Sequence, residues 1–387
     1  MKKYIFISII CSLLFILFSG CDEPVFYAVS TQVESPEPKI KGSPTNFAKI
    51  NNGTNDIVYV ATGNSVWTYY PLGESWEWRD TGFSLGRITY LAASNTDLFI
   101  LTPNGIYCFD NITEAPSAPG HLKNPTHIPN TDYRFITMYS ANNQVFAGAM
   151  SSTDYAIFHI TSSTANKVAE TNNGLLNGAA CNGTNYYFSV KDQVSESGGG
   201  IYRGDSSSAT LRFDDYSIPF MGIVSTGTEV YAITRSGTLY DADTLDSIIS
   251  TGKFSNGVLS VVNAYDYTSQ KWDGKPFLLV GRQDDLRYSV YSGFTYGYLE
   301  IELDADGSIK DGASFREPAL SDPSTLLTNR GSHDTFRTTI GTYALKFIFQ
   351  SNDTNKTIFA STHQNGVWSL KEQNDRNKNY PYWNTEH

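Results

Sequence analysis

Short apolar stretches alternate with polar turns along most of the chain. The stretch TIFASTHQNGVWSL, from Thr357 to Leu370, has an apolar strand, a polar turn and a second strand that carries an aromatic residue. The same order recurs in IVYVATGNSVWTYY from Ile57, LFILTPNGIYCFD from Leu98 and VYAITRSGTLYDAD from Val230. Asn and Gly in such turns tolerate the positive φ that tight hairpins require. Each stretch therefore predicts a β-hairpin.

The hairpins recur at a nearly constant spacing. Corresponding positions on the first strand of each hairpin are Tyr59, Phe99, Phe146, Tyr187, Tyr231, Leu278 and Phe359. Five of the six intervals lie between 40 and 47 residues, and the sixth is 81 residues. Intervals of about 40–50 residues are typical of four-stranded propeller blades. The long interval leaves two alternatives, one blade with a long insertion or two blades of which one is degenerate.

Further strands flank each hairpin. An apolar strand and a turn precede it, as in RITYLAASNTD from Arg87 and ALKFIFQSNDTNK from Ala344. A fourth strand follows it in ESWEWRDTG and NYPYWNTE. Small residues recur on the first strand, which suits innermost strands that crowd a central channel; they are Ala92, Ala93, Ala179, Ala180 and Gly222.

These repeats resemble those of a β-propeller. The resemblance covers residues 45–387 and implies an all-β fold of seven four-stranded blades, with eight as the alternative. Seven blades would average about 49 residues each over this range. The chain has no run of WD blade endings, no kelch double glycine and no sialidase-type Asp-box, so the repeats indicate the architecture without indicating a propeller family.

The first residues have a different character. Lys2 and Lys3 precede an almost unbroken apolar run, Tyr4 to Phe18, and small residues then lead to Cys21. The run is short for a transmembrane helix and has the order of an export signal. FSGC resembles the lipobox of bacterial lipoproteins, although the family prefers Leu where Phe18 stands. The resemblance implies a signal peptide over residues 1–20 and lipid on Cys21; the alternative is an ordinary cleaved signal.

Residues 21–44 are predicted to form a flexible tether between the lipid and the propeller. They contain VESPEPKIKGSP, which is rich in proline and polar residues. The strand-like stretch VFYAVSTQVE within them could instead pair with a blade edge. With two or more acyl chains, such an anchor would hold the protein firmly on a membrane.

Composition and charge narrow the range of partners. Aromatic residues make up 14% of the chain and charged residues 17%, which is typical of strands and turns. The full chain has a net charge of −11, and loss of Lys2 and Lys3 with the signal would bring it to about −13. Such a protein is repelled by phosphate backbones, so we predict no nucleic-acid binding.

Candidate ligand-binding residues come from the densest group of aromatics, Tyr69, Tyr70, Trp76 and Trp78. Their rings could stack on a sugar or a peptide, but strand packing also requires aromatics and is the stronger alternative. Three long inserts are further candidates for specificity, since loops on a rigid ring can vary: Lys191 to Gly200, Arg282 to Gly297 and Asp304 to Arg330.

Other motifs are weaker. The tripeptide RGD at Arg203 to Asp205 matches a cell-adhesion motif, but three residues often match by chance. LDADGSIKD from Leu303 offers oxygens for calcium but lacks the glycine of an EF-type loop at its sixth position, and we predict a turn there. Cys108 and Cys181 are predicted to be separate buried thiols. No histidine pair has zinc-binding spacing, so we predict no metal and no cofactor.

The sequence predicts a non-catalytic envelope lipoprotein. Its propeller would be a binding or assembly scaffold for a protein or glycan partner, with the chain on the periplasmic face of an outer membrane or on the cell surface. A carbohydrate-active enzyme is the first alternative, and it would need two carboxylates at the channel mouth. A surface adhesin is the second.

Overall fold

A computed structural model describes residues 39–51, 53–72, 75–84, 86–112, 122–171, 174–192, 199–215, 219–234, 237–250, 259–266, 271–281, 298–313, 346–350, 353, 356–362, 366–375 and 378–385. The chain divides into two compact units, Met1–Glu37 with His387 and Pro38–Glu386. All described residues belong to the second unit. The predicted signal peptide, Cys21 and most of the predicted tether lie outside the described residues.

The second unit is a seven-bladed β-propeller of antiparallel sheets, each with its strands in chain order. The first four blades contain β1 (Ala48–Asn51), β2 (Asp56–Thr62), β3 (Ser65–Leu72) and β4 (Ser75–Ser84); β5 (Tyr90–Ala93), β6 (Leu98–Thr102), β7 (Gly105–Phe109) and β8 (Thr126–Pro129); β9 (Arg134–Ala141), β10 (Gln144–Met150), β11 (Tyr155–Ile160) and β12 (Ala165–Thr171); and β13 (Gly174–Cys181), β14 (Tyr186–Asp192), β15 (Gly199–Gly204) and β16 (Ala209–Asp215).

The last three blades complete the ring. They contain β17 (Phe220–Ser225), β18 (Val230–Thr234), β19 (Thr238–Asp241) and β20 (Ser247–Ser250); β21 (Leu259–Asp266), β22 (Lys271–Gly281) and β23 (Tyr298–Glu302); and β24 (Lys346–Gln350), β25 (Thr357–Ser361), β26 (Val367–Asp375) and β27 (Lys378–Thr385). Three strands of the sixth blade are described. Within the described residues, no helix is long and apolar enough to cross a membrane.

The second strand of every blade lies in the core. Each of the seven spacing residues named above falls on one of these strands, and none is more than 3% exposed. The predicted hairpins and fourth strands are confirmed, with β4 and β27 at the two Trp-containing stretches. The turn between β9 and β10 places Asn142 and Asn143 at φ values of 42° and 60°, as a tight hairpin requires.

The seven-blade prediction is confirmed and the eight-blade alternative is wrong. The long interval joins Leu278 on β22 to Phe359 on β25, and these strands belong to consecutive blades. The extra residues lie partly between β22 and β23 of the sixth blade and partly between β23 and β24. Residues 282–297 and 314–345 of this interval lie outside the described part of the chain.

The first strand of each blade is innermost, and each packs against the first strand of the next blade from β1 through β5, β9, β13, β17 and β21 to β24. This close approach requires small side chains. A Cβ added to Gly178 on β13 would lie 2.8 Å from Cγ2 of Ile223 on β17. The structural reason for the small residues on first strands is therefore contact between blades.

The first and last blades close the ring directly, since β24 contacts β2. The Tyr69 hydroxyl donates a 2.8 Å hydrogen bond to Oδ2 of buried Asp353. Ser361 Oγ donates to the carbonyl oxygens of Pro44 and Thr45 at 3.1 and 2.7 Å. These bonds join residues about 300 positions apart. Closure therefore depends on polar contacts as well as on packing.

Residues 39–44, which the sequence placed in the tether, already belong to this closure. Ile40 is fully buried in an apolar cluster of the first and last blades. The Gly366 amide donates to the Gly42 carbonyl at 2.9 Å, and Thr62 Oγ1 donates to the Lys41 carbonyl at 2.6 Å. The packed part of the chain therefore includes Lys39 onwards.

Candidate functional site

Two neighbouring cavities share three lining residues that lie on or beside innermost strands, and together the cavities are called the central channel. The first has a volume of about 550 Å³ and is lined by the ends of β9, β13 and β17 and by the start of β24. The second has a volume of about 670 Å³ and is lined by residues 42–46, 62–63 and 87–90. Asn46, Tyr139 and Lys346 line both cavities. These volumes lie in the range of small-molecule sites.

Lys346 reaches across the channel. It is the first residue of β24, in the seventh blade, and its Nζ lies 5.5 Å from the ring centroid of Tyr139 on β9, in the third blade. An ammonium over an aromatic face is attracted by the ring quadrupole. The Lys346–Tyr139 contact therefore joins two blades that are not neighbours, and both residues line both cavities.

Lys346 is a cation in a channel lining where no carboxylate is described beside it. Burial alone lowers the pKa of Lys346 to about 8, because desolvation disfavours the charged ammonium. No described Asp or Glu lines either cavity, whereas the second cavity adds the cation Arg87. Arg87 is exposed. The described lining therefore carries positive charge in a chain whose net charge is −11.

A tyrosine pair completes the contact. Tyr139 and Tyr90 are hydrogen-bonded through their hydroxyls, and their ring centroids lie 5.7 Å apart. Burial raises the pKa of both phenols, that of Tyr139 well above its ordinary value. Both tyrosines therefore stay neutral at any physiological pH and can act as hydrogen-bond donors.

Other polar side chains of the lining bind the neighbouring blade. The Asn46 amide pairs with both backbone groups of Leu91, accepting at 3.0 Å and donating a second hydrogen bond. Ser140 Oγ accepts from the Ala93 amide at 2.8 Å. Asn177 donates to the Phe220 carbonyl at 2.6 Å. Because these groups hold blades together, Lys346 is the better candidate for recognising a ligand.

The aromatic group predicted as a binding platform is not an open surface. Tyr69, Tyr70 and Trp78 are between 0% and 3% exposed, and Trp76 is partly buried against the same apolar cluster. Trp78 packs edge-on against Phe359 of the last blade, with ring centroids 5.0 Å apart. The burial of these rings supports the alternative of strand packing over that of a binding platform.

The three predicted inserts are described only in part. Residues 193–198, 282–297 and 314–330 of the three inserts lie outside the described part, as does Cys21.

The turn that the sequence predicts in place of a calcium loop is confirmed at Gly307, which has a φ of 88°. The neighbouring Asp306 carboxylate accepts from the amide and the hydroxyl of Ser308, at 3.0 and 2.7 Å. No group of three or more His, Cys, Asp or Glu among the described residues is arranged to hold a metal ion.

The structure also describes the RGD tripeptide and the two cysteines of the propeller. Arg203 pairs with Asp243 and lies over the Tyr187 ring, while the Asp205 carboxylate accepts from the amides of the following turn. Both charged groups of the tripeptide are therefore engaged within the protein. The prediction for the cysteines is confirmed, since Cys108 and Cys181 are free and buried.

Sequence reasoning missed Lys346 and Tyr139 as site residues. The available signal was a single lysine inside the apolar stretch ALKFIFQ, which was recognised as an inner strand. A cation on a strand that faces a channel is an exception that burial makes costly. The alternation along so short a strand did not show which side chain points into the channel.

No protein-family model matches the chain, and no curated protein matches it. Solved structures do match. The WD40 β-propeller domain of Doa1 aligns with a TM-score of 0.50 and 10% identity, covering 88% of this chain and 96% of that chain. The structure of BBS1N in complex with ARL6DN aligns with a TM-score of 0.52 and 10% identity, covering 87% of this chain and 94% of that chain.

A third similar structure is an extracellular domain of BT4673 from B. thetaiotaomicron. It aligns with a TM-score of 0.50 and 15% identity, covering 88% of this chain and 40% of that one. Identities this low establish the fold and not a function. The structure and the comparisons together identify the protein's fold as a seven-bladed β-propeller of four-stranded antiparallel sheets.

Proposed function

We propose that the protein is a lipid-anchored lipoprotein of the cell envelope whose propeller is a binding or assembly scaffold without catalysis of its own. The observation that carries the scaffold role is a closed ring of seven blades around a channel. Such a ring holds its turns and its channel lining in fixed positions, which favours binding at low entropic cost. A protein or a glycan is the expected partner.

Anchoring rests on the sequence of the N-terminus. The basic start, the apolar run and Cys21 support attachment through lipid on the cysteine sulfur. The proposed location is the periplasmic face of an outer membrane or the cell surface. A tether over residues 22–38 would give the ring some freedom of position above the bilayer.

Two alternatives find less support. A retaining or inverting glycosidase needs two carboxyl groups about 5–10 Å apart, and the described lining of the channel contains neither Asp nor Glu. An RGD-dependent adhesin needs the tripeptide to be presented to a receptor, whereas Arg203 is paired with Asp243. The similarity to BBS1N, which was solved in complex with ARL6DN, supports a partner-binding role by analogy of fold alone.

Affinity capture tests the scaffold proposal. The chain would be tagged after His387 and crosslinked in intact cells of its native host, and the bound protein and glycan would be identified. We expect the same partner in independent cultures. A variant with Trp78→Ala, which weakens the ring, should lose it. Recovery of no reproducible partner, or cleavage of a glycan by the purified chain, would contradict the proposal.

A further inference from the structure

We propose that the central channel binds a small carboxylate-bearing ligand, held by the Lys346 ammonium where the two cavities meet. This site goes beyond the scaffold role, because a small acid inside the channel leaves the outer surface of the ring free for a partner.

The position of the Lys346 charge favours an anionic ligand. Lys346 lines both cavities, of about 550 and 670 Å³, so a ligand in either one would lie beside this residue. Its described contact is the Tyr139 ring, a neutral partner that leaves the positive charge uncompensated. Lys346 is half-buried, and withdrawing an unpaired cation from water costs free energy that an anionic ligand would recover.

The groups that surround Lys346 also favour an anionic ligand. The described lining contains Lys346 and Arg87 as charged groups and no carboxylate, so a negative ligand meets no like charge there. Because a hydrogen bond between two hydroxyls uses one of their two protons, the Tyr90–Tyr139 pair retains one proton for a ligand oxygen. An ammonium and a phenol are suitable partners for the two oxygens of a carboxylate.

The charge at the Lys346 ammonium favours a carboxylate over a phosphate. One ammonium at the junction balances one negative charge, whereas a phosphate near neutral pH carries up to two and is normally held by several donors or by Arg. Phe47 and Phe347 line the first cavity and supply apolar contacts for the body of the ligand. The site therefore fits a monocarboxylate with a compact apolar or sugar-like body.

The pH dependence follows from the groups that face Lys346. Burial places the pKa of Lys346 at about 8, whereas it raises the pKa of Tyr139 and of Tyr90. Because a carboxylate binds the protonated amine, affinity is full below pH 8 and falls as the pH rises through that value. The expected loss between pH 7 and pH 9 is about tenfold. Cys181 and Arg87 also line the cavities, and the Lys346→Met variant separates any effect of theirs from that of Lys346.

Calorimetric titration of the purified chain tests the site. The probes are glucuronate with glucose as its neutral counterpart, and benzoate with benzyl alcohol. We expect at least one carboxylate to bind, its neutral counterpart to bind at least about tenfold more weakly, and Lys346→Met to weaken the carboxylate by a similar factor. Met has a similar length and removes a buried charge, so this variant should fold.

Two further variants make the result specific. Lys346→Arg keeps the charge and should bind at pH 9 as well as at pH 7. Lys310→Met removes a surface lysine that pairs with Glu302 at 3.2 Å and should leave binding unchanged. If the pH dependence persists in Lys346→Met, if neutral probes bind as tightly, or if neither carboxylate binds, the inference is wrong. Partner capture is expected to survive Lys346→Met, so the two proposals fail separately.

Discussion

Replacing Trp78 by alanine is expected to lower the free energy of unfolding by about 3–5 kcal/mol. Trp78 is fully buried, and its ring lies 5.0 Å from that of Phe359 and 5.3 Å from that of Tyr69. Phe359 belongs to the last blade and Tyr69 to the first, so the substitution opens a cavity at the junction that closes the ring. Denaturation by guanidinium chloride, followed by tryptophan fluorescence and circular dichroism, measures the loss.

Trp76→Ala is the matched control, since both residues lie on β4 and the same atoms are removed. Trp76 is partly buried, and its ring lies 5.6 Å from that of Tyr69. We expect a loss of about 1–2 kcal/mol, because less apolar area leaves water on folding. Equal losses in the two variants would show that Trp78 has no special role at the junction.

Replacing Cys21 by alanine is expected to abolish lipid attachment completely. The proposed modification needs a thiolate to form its thioether bond, and alanine has no sulfur. Cells grown with an alkyne-labelled fatty acid should label the natural chain and leave the variant unlabelled. Intact mass should show that residues 1–20 are removed from the natural chain and retained in the variant.

Cys11→Ala serves as the control, since this cysteine lies in the apolar run that the proposed cut removes. It should leave labelling and processing unchanged. A chain with an ordinary cleavable export signal in place of residues 1–21 should be released as a soluble protein, because the acyl chains supply the membrane affinity. Undiminished labelling in Cys21→Ala would refute the proposed anchor.

Most of the fold was readable from the sequence because a propeller repeats one local pattern. Residues such as Tyr59 and Phe359 recur at the same place in each blade, where a strand must be buried on both faces. Hairpin turns with Asn and Gly added a second local signal. The sixth interval was ambiguous because a long connection and a weak blade leave the same gap between recognisable strands.

The candidate site was harder to predict from the sequence, because it depends on contacts between distant blades. Lys346 and Tyr139 are separated by 207 residues and meet only because the ring is closed. The aromatic cluster around Tyr69 left packing and ligand binding as alternatives for the same reason: its packing partner Phe359 comes from the other end of the chain. Ile40 was assigned to the tether because local composition could not show that the first and last blades bury it.

Ring closure between the first and last blades is the central claim, and a double-mutant cycle on Tyr69 and Asp353 tests it most directly. Tyr69→Phe and Asp353→Ala would be compared singly and together by chemical denaturation. The 2.8 Å hydrogen bond between them predicts a coupling free energy of about 1–3 kcal/mol. Strictly additive losses would contradict the account, because residues on an open chain of blades would have no contact to couple them.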